Sequence, residues 1–281
     1  MKQLQGKVAA ITGAGSGIGQ ALAIELAKLG CELAISDRNE AGLKETEAQV
    51  VAVGAKCTSC LLDVAEREAV YAWADQVVAE HGRVNLIFNN AGVALSETVE
   101  TMSYDNFEWL MNINFWGVVY GTKAFLPYLK QSGSGHVINV SSVFGMIGVP
   151  TQSAYNAAKF AVRGFTESLR EEMAIEGANV NVTCVHPGGI KTNIVRSSRI
   201  GEVGKAGTKD PVKAAKMFDK AARTTPQEAA RVIIEGVLKD KARVLIGTDA
   251  RVIDTMQRLL PTGYQKILIW GAKRNHAKHS Q

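Results

Sequence analysis

Short apolar runs alternate with longer amphipathic stretches along most of the chain. The runs are rich in β-branched residues and predict strands, whereas the stretches repeat their apolar residues at helical spacing. The predicted strands cover residues 8–12, 32–36, 57–62, 86–89, 136–141, 179–185 and 244–247. The predicted helices cover residues 17–29, 41–53, 66–80, 104–129, 152–176 and 226–239.

This order of elements predicts an α/β fold. Regular alternation of strand and helix is typical of a parallel sheet with helices on both faces. The predicted strands are almost continuously apolar, which indicates that both of their sides are buried. With right-handed crossovers, the pattern predicts a single-domain, Rossmann-type, doubly wound parallel sheet of about seven strands. We expect this domain to span residues 1–248.

Two segments depart from the alternation. Residues 190–225 contain nine Lys or Arg and three Asp or Glu. Because long loops in compact domains are often lids or binding loops, we interpret this segment as a substrate loop. Residues 249–281 follow the last predicted strand and are expected to form a C-terminal helical extension. We expect its apolar side chains to pack on the domain or on another subunit, with contact to a membrane surface as the alternative.

Composition narrows the class of protein. The chain has 281 residues, of which 46% are hydrophobic and 21% charged, and this excludes a disordered or fibrous protein. The net charge of +5 is concentrated in the two irregular segments and accompanies no nucleic-acid-binding motif, so we expect no nucleic-acid partner. No apolar run approaches the ~20 residues of a membrane span. With no secretory pattern at the N-terminus, we expect a cytoplasmic protein with free thiols.

Cys57 and Cys60 are separated by two residues, a spacing that metal and redox sites share. A zinc site would need a second pair of ligands at matching spacing, and the sequence has none. Both cysteines lie in a predicted strand, where residues three apart face opposite sides of the sheet. We therefore interpret them as small apolar side chains and expect no metal.

A glycine-rich segment separates the first predicted strand from the first predicted helix. Glycine permits positive φ and lets the backbone approach a ligand closely. The amide groups and dipole of a helix N-terminus favour an anionic diphosphate. The segment therefore predicts a dinucleotide site, although Ile18 stands where the generic G-x-G-x-x-G pattern has its third glycine. Its candidate residues are Gly13, Gly15, Ser16, Gly17, Ile18 and Gly19.

Asp37 ends the second predicted strand, eighteen residues after Gly19. A carboxylate at this place can accept hydrogen bonds from both hydroxyls of an adenosine ribose, and it would repel a 2′-phosphate. We therefore expect NAD in preference to NADP. Arg38 leaves NADP open, because its guanidinium could receive that phosphate. The alternative role for Asp37 is to cap the next helix.

Tyr155 and Lys159 lie four residues apart near the start of a predicted helix, so their side chains share one face. A free phenol has a pKa of about 10, and a neighbouring ammonium favours its ionised form. The charge of an oxidised nicotinamide would add to this effect. Tyr155 could then remove the proton of an alcohol while hydride leaves its carbon. The alternative is an ordinary pair on the helix surface.

Ser142 follows the predicted strand 136–141, and its hydroxyl could hold the oxygen of a substrate. Ser141 is the competing candidate, because it is adjacent and points to the other side. Asn114 lies in a long predicted helix, where the alternative to catalysis is a local hydrogen bond.

Together, these residues resemble the short-chain dehydrogenase/reductase family in its short, single-domain branch. Order and spacing agree from residue 5 to about residue 247. The matching positions are Thr12 to Gly19, Asp63, Val64, Asn89 to Gly92, Asn114, Ser142, Tyr155, Lys159, Pro187, Gly188 and Thr192.

The resemblance implies roles for these residues. Asp63 and Val64 would hold adenine, whereas Asn90, Ala91 and Gly92 would border the adenosine ribose. Near the nicotinamide, the cofactor would contact Tyr155, Lys159, Pro187, Gly188, Ile190 and Thr192, with Lys159 on the ribose hydroxyls. Asn114, Ser142, Tyr155 and Lys159 would form a catalytic tetrad in which Asn114 positions a water. The resemblance also implies a homodimer or homotetramer that associates through the helices of Asn114 and Tyr155.

The expected function is NAD(P)-dependent hydride transfer between the cofactor and a secondary alcohol or ketone, with NAD preferred. The alternatives are an NADP-dependent carbonyl reductase, a non-catalytic nucleotide-binding sensor, and a peripheral membrane enzyme. Apolar residues near the expected mouth of the site hint at a hydrophobic substrate, although they are equally consistent with loop packing. They are Val93, Phe144, Met146, Ile147 and Val149.

Overall fold

Seven parallel strands form the centre of the protein. The computed structural model describes residues 3–204 and 207–279, with side chains described up to residue 274. The strand order is β3-β2-β1-β4-β6-β7-β9, which confirms the doubly wound α/β sheet. Its strands are β1 Val8–Thr12, β2 Glu32–Asp37, β3 Cys57–Leu61, β4 Leu86–Asn89, β6 Gly135–Val140, β7 Val180–Pro187 and β9 Arg243–Ile246.

Helices cover both faces of the sheet, and the alternation of side chains along each strand fills two cores. Ala9 and Ile11 of β1 face one core, whereas Val8 and Ala10 face the other. The helices are α1 Gly17–Lys28, α2 Glu40–Ala52, α3 Arg67–His81, α4 Tyr104–Met111, α5 Gly117–Gln131, α6 Ser153–Ile175, α7 Pro211–Ala221, α8 Pro226–Leu238, α9 Thr248–Leu259 and α10 Tyr264–His279.

The prediction of one continuous helix over residues 104–129 is wrong at residues 112–116. A π-helix, Asn112–Trp116, separates α4 from α5. Such a π-turn widens the helix by one residue and often lies at functional sites. Apolar periodicity does not reveal it, because the insertion depends on contacts that Asn114 makes with another segment.

The basic segment 190–225 contains regular structure that its sequence pattern did not indicate. A two-residue strand, β8 Arg199–Ile200, pairs with β5 Leu95–Ser96 after β4. Helix α7 begins where the side chain of Asp210 accepts a hydrogen bond from the amide of Val212 (2.8 Å). An Asp followed by Pro is a common start signal of a helix. The segment is therefore folded onto the loop that follows β4.

Cys57 and Cys60 pack against opposite apolar cores, as the strand assignment predicts. All four cysteines are free. Among residues 3–204 and 207–274, whose side chains are described, no group of three metal-binding side chains comes together. Over residues 3–204 and 207–279, no helix combines the length and apolar character needed to cross a bilayer.

Two histidines are buried in the central strands. His136 Nε2 lies 2.8 Å from Thr183 Oγ1, and His186 Nδ1 lies 3.0 Å from the carbonyl oxygen of Ser142. Burial lowers the pKa of His136 to about 3 and that of His186 to about 4. Both imidazoles therefore remain neutral in the folded protein far below the pH at which they gain a proton in an unfolded chain.

We predict that these histidines destabilise the fold as the pH falls from 6.5 towards 4. In that range the unfolded chain binds protons that the folded chain does not, so each histidine removes about 1.4 kcal/mol per pH unit. Urea unfolding at pH 7, 6 and 5 should give a steep loss of stability for the wild type. His136→Gln should give a shallower slope than the wild type, although its stability at pH 7 is lower. Equal slopes between pH 6 and 5 would contradict the prediction.

Candidate active site

The glycine-rich loop between β1 and α1 lies against the turn that follows β4. Gly13 has a φ of +67°, and a Cβ on it would lie 2.7 Å from the Cα of Ala91. A Cβ on Gly19 would collide with the carbonyl oxygen of Gly13. Side chains at these two positions would therefore push the loop away from the sheet, and glycine permits the close approach.

Thr12 and Asn90 fasten these two segments together. The hydroxyl of Thr12 accepts hydrogen bonds from the amides of Asn90 (3.0 Å) and Ala91 (3.1 Å). Asn90 Nδ2 donates to the carbonyl oxygens of Thr12 (3.0 Å) and Gly13 (3.1 Å). The structure thus brings together the residues that the sequence assigned to the diphosphate and to the adenosine ribose.

Asp37 lies at the edge of the glycine loop. Its Oδ2 accepts a hydrogen bond from the amide of Gly15 (2.8 Å), and its Oδ1 accepts one from the amide of Asn39 (2.8 Å). The N-cap of α2 is Asn39 rather than Asp37, because the Asn39 side chain accepts from the amide of Gly42. The capping role considered for Asp37 is therefore wrong. Arg38 is exposed beside it.

Asp63 and Val64 lie one strand further out. Asp63 Oδ1 accepts a hydrogen bond from the amide of Ala65 (3.0 Å). Val64 is buried against the start of α5, where a Cβ on Gly117 would lie 2.8 Å from Val64 Cγ2. Among the described contacts, neither side chain touches the glycine loop.

The first turn of α1 fits an anionic group. Ser16 precedes this helix in an extended conformation and makes no hydrogen bond from its side chain to the first-turn amides. Those amides, which include that of Ile18, have no earlier carbonyl within the helix to bond. A diphosphate would satisfy them, so the residues present fit the dinucleotide that the sequence predicts.

The segment after β7 closes over the glycine loop. A Cβ on Gly17 would lie 3.1 Å from Thr192 Cγ2, so Thr192 contacts the start of α1. Ile190 is buried, and the amide of the next residue, Lys191, donates to the carbonyl oxygen of Thr224 (3.0 Å). The amide of Gly189, two residues after Pro187, donates to Asp249 Oδ2 (2.7 Å).

Asn114 and Lys159 converge on Gly92. Asn114 is fully buried in the π-helix, where its Oδ1 accepts from the amide of Val93 and its Nδ2 donates to the Val93 carbonyl (both 2.8 Å). A Cβ on Gly92 would lie 3.3 Å from Asn114 Oδ1 and 3.6 Å from Lys159 Nζ. The hydrogen bonds of the Asn114 side chain are not local to its helix, since both go to Val93 in the segment after β4, and they direct Asn114 towards Lys159.

Ser142 and Tyr155 form a pair of hydroxyl groups beside Lys159. The Ser142 side chain lowers the pKa of Tyr155, which indicates that the two hydroxyls lie close together, and the Ser142 hydroxyl accepts from the amide of Phe144 (3.1 Å). Lys159 Nζ lies 5.6 Å from the centroid of the Tyr155 ring and donates to the carbonyl oxygen of Val140 (2.9 Å). Ser141 instead donates to the Lys159 carbonyl (2.8 Å). Ser142, not Ser141, is thus the serine that faces the phenol.

Burial determines the protonation states of Tyr155 and Lys159 in the protein without cofactor. It raises the pKa of Tyr155 to about 12, although the hydrogen bond to Ser142 acts in the opposite direction. It lowers the pKa of Lys159 to about 8. The pKa of the phenol is therefore raised rather than lowered, because loss of water around the phenolate outweighs the opposite effect of Ser142.

Asn156 organises the catalytic loop, which we define as residues 142–149. Its Nδ2 donates to the carbonyl oxygens of Phe144 (2.7 Å) and Ile147 (2.8 Å), and its Oδ1 accepts from the amide of Val149 (3.0 Å). The sequence analysis missed this role. A polar residue on the inward face of an amphipathic helix, directly after Tyr155, was the available signal.

The C-terminal helices hold the same loop from outside. The hydroxyl of Tyr264, a residue that is 7% exposed, accepts a hydrogen bond from the amide of Gly148 (3.0 Å). Ala250 of α9 packs with Val143 and Met146. These contacts join segments more than 100 residues apart, and no local pattern announces them.

The comparisons with known proteins agree with this geometry. The family model for short chain dehydrogenase matches residues 7–202. The chain belongs to the short-chain dehydrogenase family. A protein of Mycobacterium tuberculosis that bears the name oxidoreductase SadH is 48% identical over 275 residues, which cover 98% of each chain. Estradiol 17-beta-dehydrogenase 11 of Homo sapiens is 31% identical over 270 residues, which cover 95% of this chain and 83% of the relative.

A solved structure extends the similarity to three dimensions. A short chain dehydrogenase/reductase from Burkholderia phymatum in complex with NAD superposes with a TM-score of 0.84 at 28% identity, covering 92% of this chain and 95% of that one. This short-chain dehydrogenase is accordingly an oxidoreductase that uses a nicotinamide cofactor and acts on CH–OH groups.

We predict that Tyr264→Phe loosens the catalytic loop of this short-chain dehydrogenase without unfolding it. The change removes the hydrogen-bond acceptor of the Gly148 amide, and because Gly148 is exposed and open to water, the expected cost is about 0.5–1.5 kcal/mol. Hydrogen–deuterium exchange should become at least fivefold faster at Gly148. Tyr104→Phe is the matched control, because that ring is 86% exposed. Unchanged exchange at Gly148 in Tyr264→Phe would show that the bond does not hold the loop.

Proposed function

We propose that the protein is an NAD-dependent dehydrogenase of apolar secondary alcohols, which also reduces the corresponding ketones. The observation that carries this proposal is the half-buried Tyr155 ring, which has Ser142 beside its hydroxyl and the Lys159 ammonium 5.6 Å from its centroid. All four residues of the expected tetrad are present: Asn114 and Lys159 both lie near Gly92, and Tyr155 lies beside Lys159 with Ser142 next to its hydroxyl. This arrangement favours a catalyst over a non-catalytic nucleotide-binding sensor.

In the proposed mechanism, Tyr155 exchanges a proton with the substrate oxygen and the Ser142 hydroxyl donates a hydrogen bond to that oxygen. When bound, the nicotinamide cofactor accepts hydride during oxidation and returns it during reduction. With a pKa of about 12, Tyr155 is protonated at neutral pH and ready to donate to a ketone. Oxidation requires loss of that proton, and positive charge beside the phenol, including the protonated form of Lys159, favours this loss.

The cofactor would lie across the carboxyl ends of β1, β2 and β4. The glycine loop and the first turn of α1 would hold the diphosphate, and Asp37 the adenosine ribose. Asn90, Ala91 and Gly92 would line the next part of the site, and Lys159 would bind the nicotinamide ribose. The segment from Pro187 through Gly188 and Ile190 to Thr192 would cover the nicotinamide. The roles of Asp63 and Val64 toward adenine remain part of this proposal.

An apolar cavity supports an apolar substrate. It has a volume of about 190 Å³ and lies between β5 and residues 195–203 and 207–218, lined by Val203, Met217 and Phe218 among others. Thr151, also in its wall, lies four residues before Tyr155, in the turn that precedes α6. The human relative, named for estradiol, favours the same substrate class.

Two further proposals concern the assembly and the compartment. Trp116 and Phe160 are 43% and 42% exposed near the start of α5 and in α6, which supports the association through these helices into a homodimer or homotetramer. Four free cysteines support the cytoplasm as the compartment.

We predict that Tyr155→Phe abolishes turnover while leaving cofactor binding intact. Loss of the general acid–base group should lower kcat by about 10² to 10⁴-fold. A panel of secondary alcohols and ketones of graded apolar size, followed by NADH absorbance, tests both the reaction and the substrate class. Calorimetric titration with NAD should give a Kd within about twofold of the wild type.

Tyr71→Phe, on α3, is the control and should behave as the wild type. Retained turnover in Tyr155→Phe would remove this residue from its role. A wild type that binds NAD but turns over no member of the panel would instead favour the sensor. Preference for small polar alcohols would contradict the apolar substrate alone.

We predict that Asp37→Ala shifts the cofactor preference. Loss of the ribose contacts should weaken NAD by about tenfold, and removal of the negative charge should strengthen NADP. The measurement is the ratio of kcat/KM with the two cofactors. Arg38→Ala is the companion variant: it should leave NAD unaffected and weaken only NADP. A wild type that uses NADP at least as well as NAD, or an unchanged ratio in Asp37→Ala, would contradict the assignment.

A further inference from the structure

Helix α10 has two unlike faces. Tyr264 is buried and bonds the amide of Gly148, and Leu268, Gly271 and Ala272 on the same side are only partly exposed. The expected packing of this helix on the domain is therefore shown at Tyr264. The opposite side carries large apolar residues that the domain leaves uncovered: Ile267 and Ile269 are each 49% exposed and Trp270 is 61% exposed.

Cations are interleaved with these apolar side chains. At 100° per residue, Lys266, Lys273 and Arg274 project on the same side of α10 as Trp270. All three are exposed. The guanidinium of Arg274 lies 5.2 Å from the centroid of the Trp270 ring. The sequence has no Asp or Glu from residue 264 to its end, so no carboxylate of this segment neutralises the face.

The outward side of α9 has the same character. Its exposed residues include Arg251, Val252 and Leu259, which project together at helical spacing. Both carboxylates of α9, those of Asp249 and Asp254, already form hydrogen bonds or ion pairs. Asp249 accepts from the amide of Gly189, and Asp254 is shared between Arg243 (2.8 Å) and Arg258 (3.2 Å).

We propose that these two helices dock on an anionic lipid surface. We define the basic apolar face as Arg251, Val252 and Leu259 of α9 with Lys266, Ile267, Ile269, Trp270, Lys273 and Arg274 of α10. Isoleucine and tryptophan side chains bury in the acyl boundary of a membrane, and lysine and arginine bind the lipid phosphates around them. The docking is peripheral, because no helix of the described part of the chain could span the bilayer.

Charge selects this occupant over a second copy of the chain. A twofold contact of the face with itself would bring Lys266, Lys273 and Arg274 of one protomer against the same cations of the other. An anionic surface instead complements every charged residue of the face. This inference rests on the exposed residues alone and is independent of the proposed function.

Vesicle flotation of the purified full-length protein tests the proposal. One set of vesicles contains phosphatidylcholine alone, and the other contains phosphatidylcholine with about 30% phosphatidylglycerol, which is anionic. We expect the protein to float with the anionic vesicles, to stay behind with the neutral ones, and to be released by 0.5 M salt, because screening weakens charge attraction.

Two variants separate the contributions of charge and apolar area. Lys266→Glu combined with Lys273→Glu should lower the bound fraction at least tenfold, and Ile269→Ser combined with Trp270→Ser at least fivefold. Matched controls on other surfaces are Lys44→Glu with Lys239→Glu, and Val99→Ser with Ile175→Ser, whose apolar side chains are 74% and 87% exposed. Both controls should bind as the wild type does.

The proposal is overturned if the wild type does not bind anionic vesicles. It is also overturned if a control loses as much vesicle binding as the variant that it matches. A change of oligomeric state in Ile269→Ser with Trp270→Ser, measured by light scattering without vesicles, also overturns it and assigns the face to contacts between copies. Because all the substituted residues are exposed, melting temperatures should remain within a few degrees of the wild type, and this measurement identifies any variant that misfolds.

Discussion

Lys159 is 3% exposed, although removing an ammonium from water costs several kcal/mol unless the surrounding structure compensates. The compensation comes from the carbonyl oxygen of Val140 at the end of β6, which accepts a hydrogen bond from Nζ. Ser141 strengthens the arrangement by bonding the Lys159 carbonyl. The end of β6 and the start of α6 are thereby held in register, and that register places Ser142 opposite Tyr155.

The same loss of water acts on the protonation of both Tyr155 and Lys159. Taking water away raises the pKa of the Tyr155 phenol and lowers that of the Lys159 ammonium. At neutral pH, Tyr155 is therefore a neutral phenol, and the ammonium of Lys159 holds its proton less tightly than an exposed lysine does. A site of this kind responds strongly to any added cation, because the dielectric constant around it is low.

The C-terminal helices serve the site as much as the strands do. Asp249 binds the segment that follows β7, and Tyr264 binds the loop that carries Ser142. A division of the chain at residue 248 separates these side chains from the loops that they hold. The inward side of α10 thus belongs to the site, whereas its outward side is uncovered, and the two sides of one helix face different constraints.

Apolar periodicity alone predicted the seven strands, most of the helices and the doubly wound sheet, because burial on both faces leaves a regular imprint on the residues themselves. The glycine loop and the spacing of Tyr155 and Lys159 were also readable, since each depends on neighbours within a few positions. Tertiary structure alone decided the π-helix at Asn114, the internal hydrogen bonds of Asn156, the contact of Tyr264 with Gly148, and the direction of the Tyr155 pKa shift. These features depend on which distant segments meet and how much water they exclude, and local sequence gives no sign of either beyond the inward-facing polar residue at position 156.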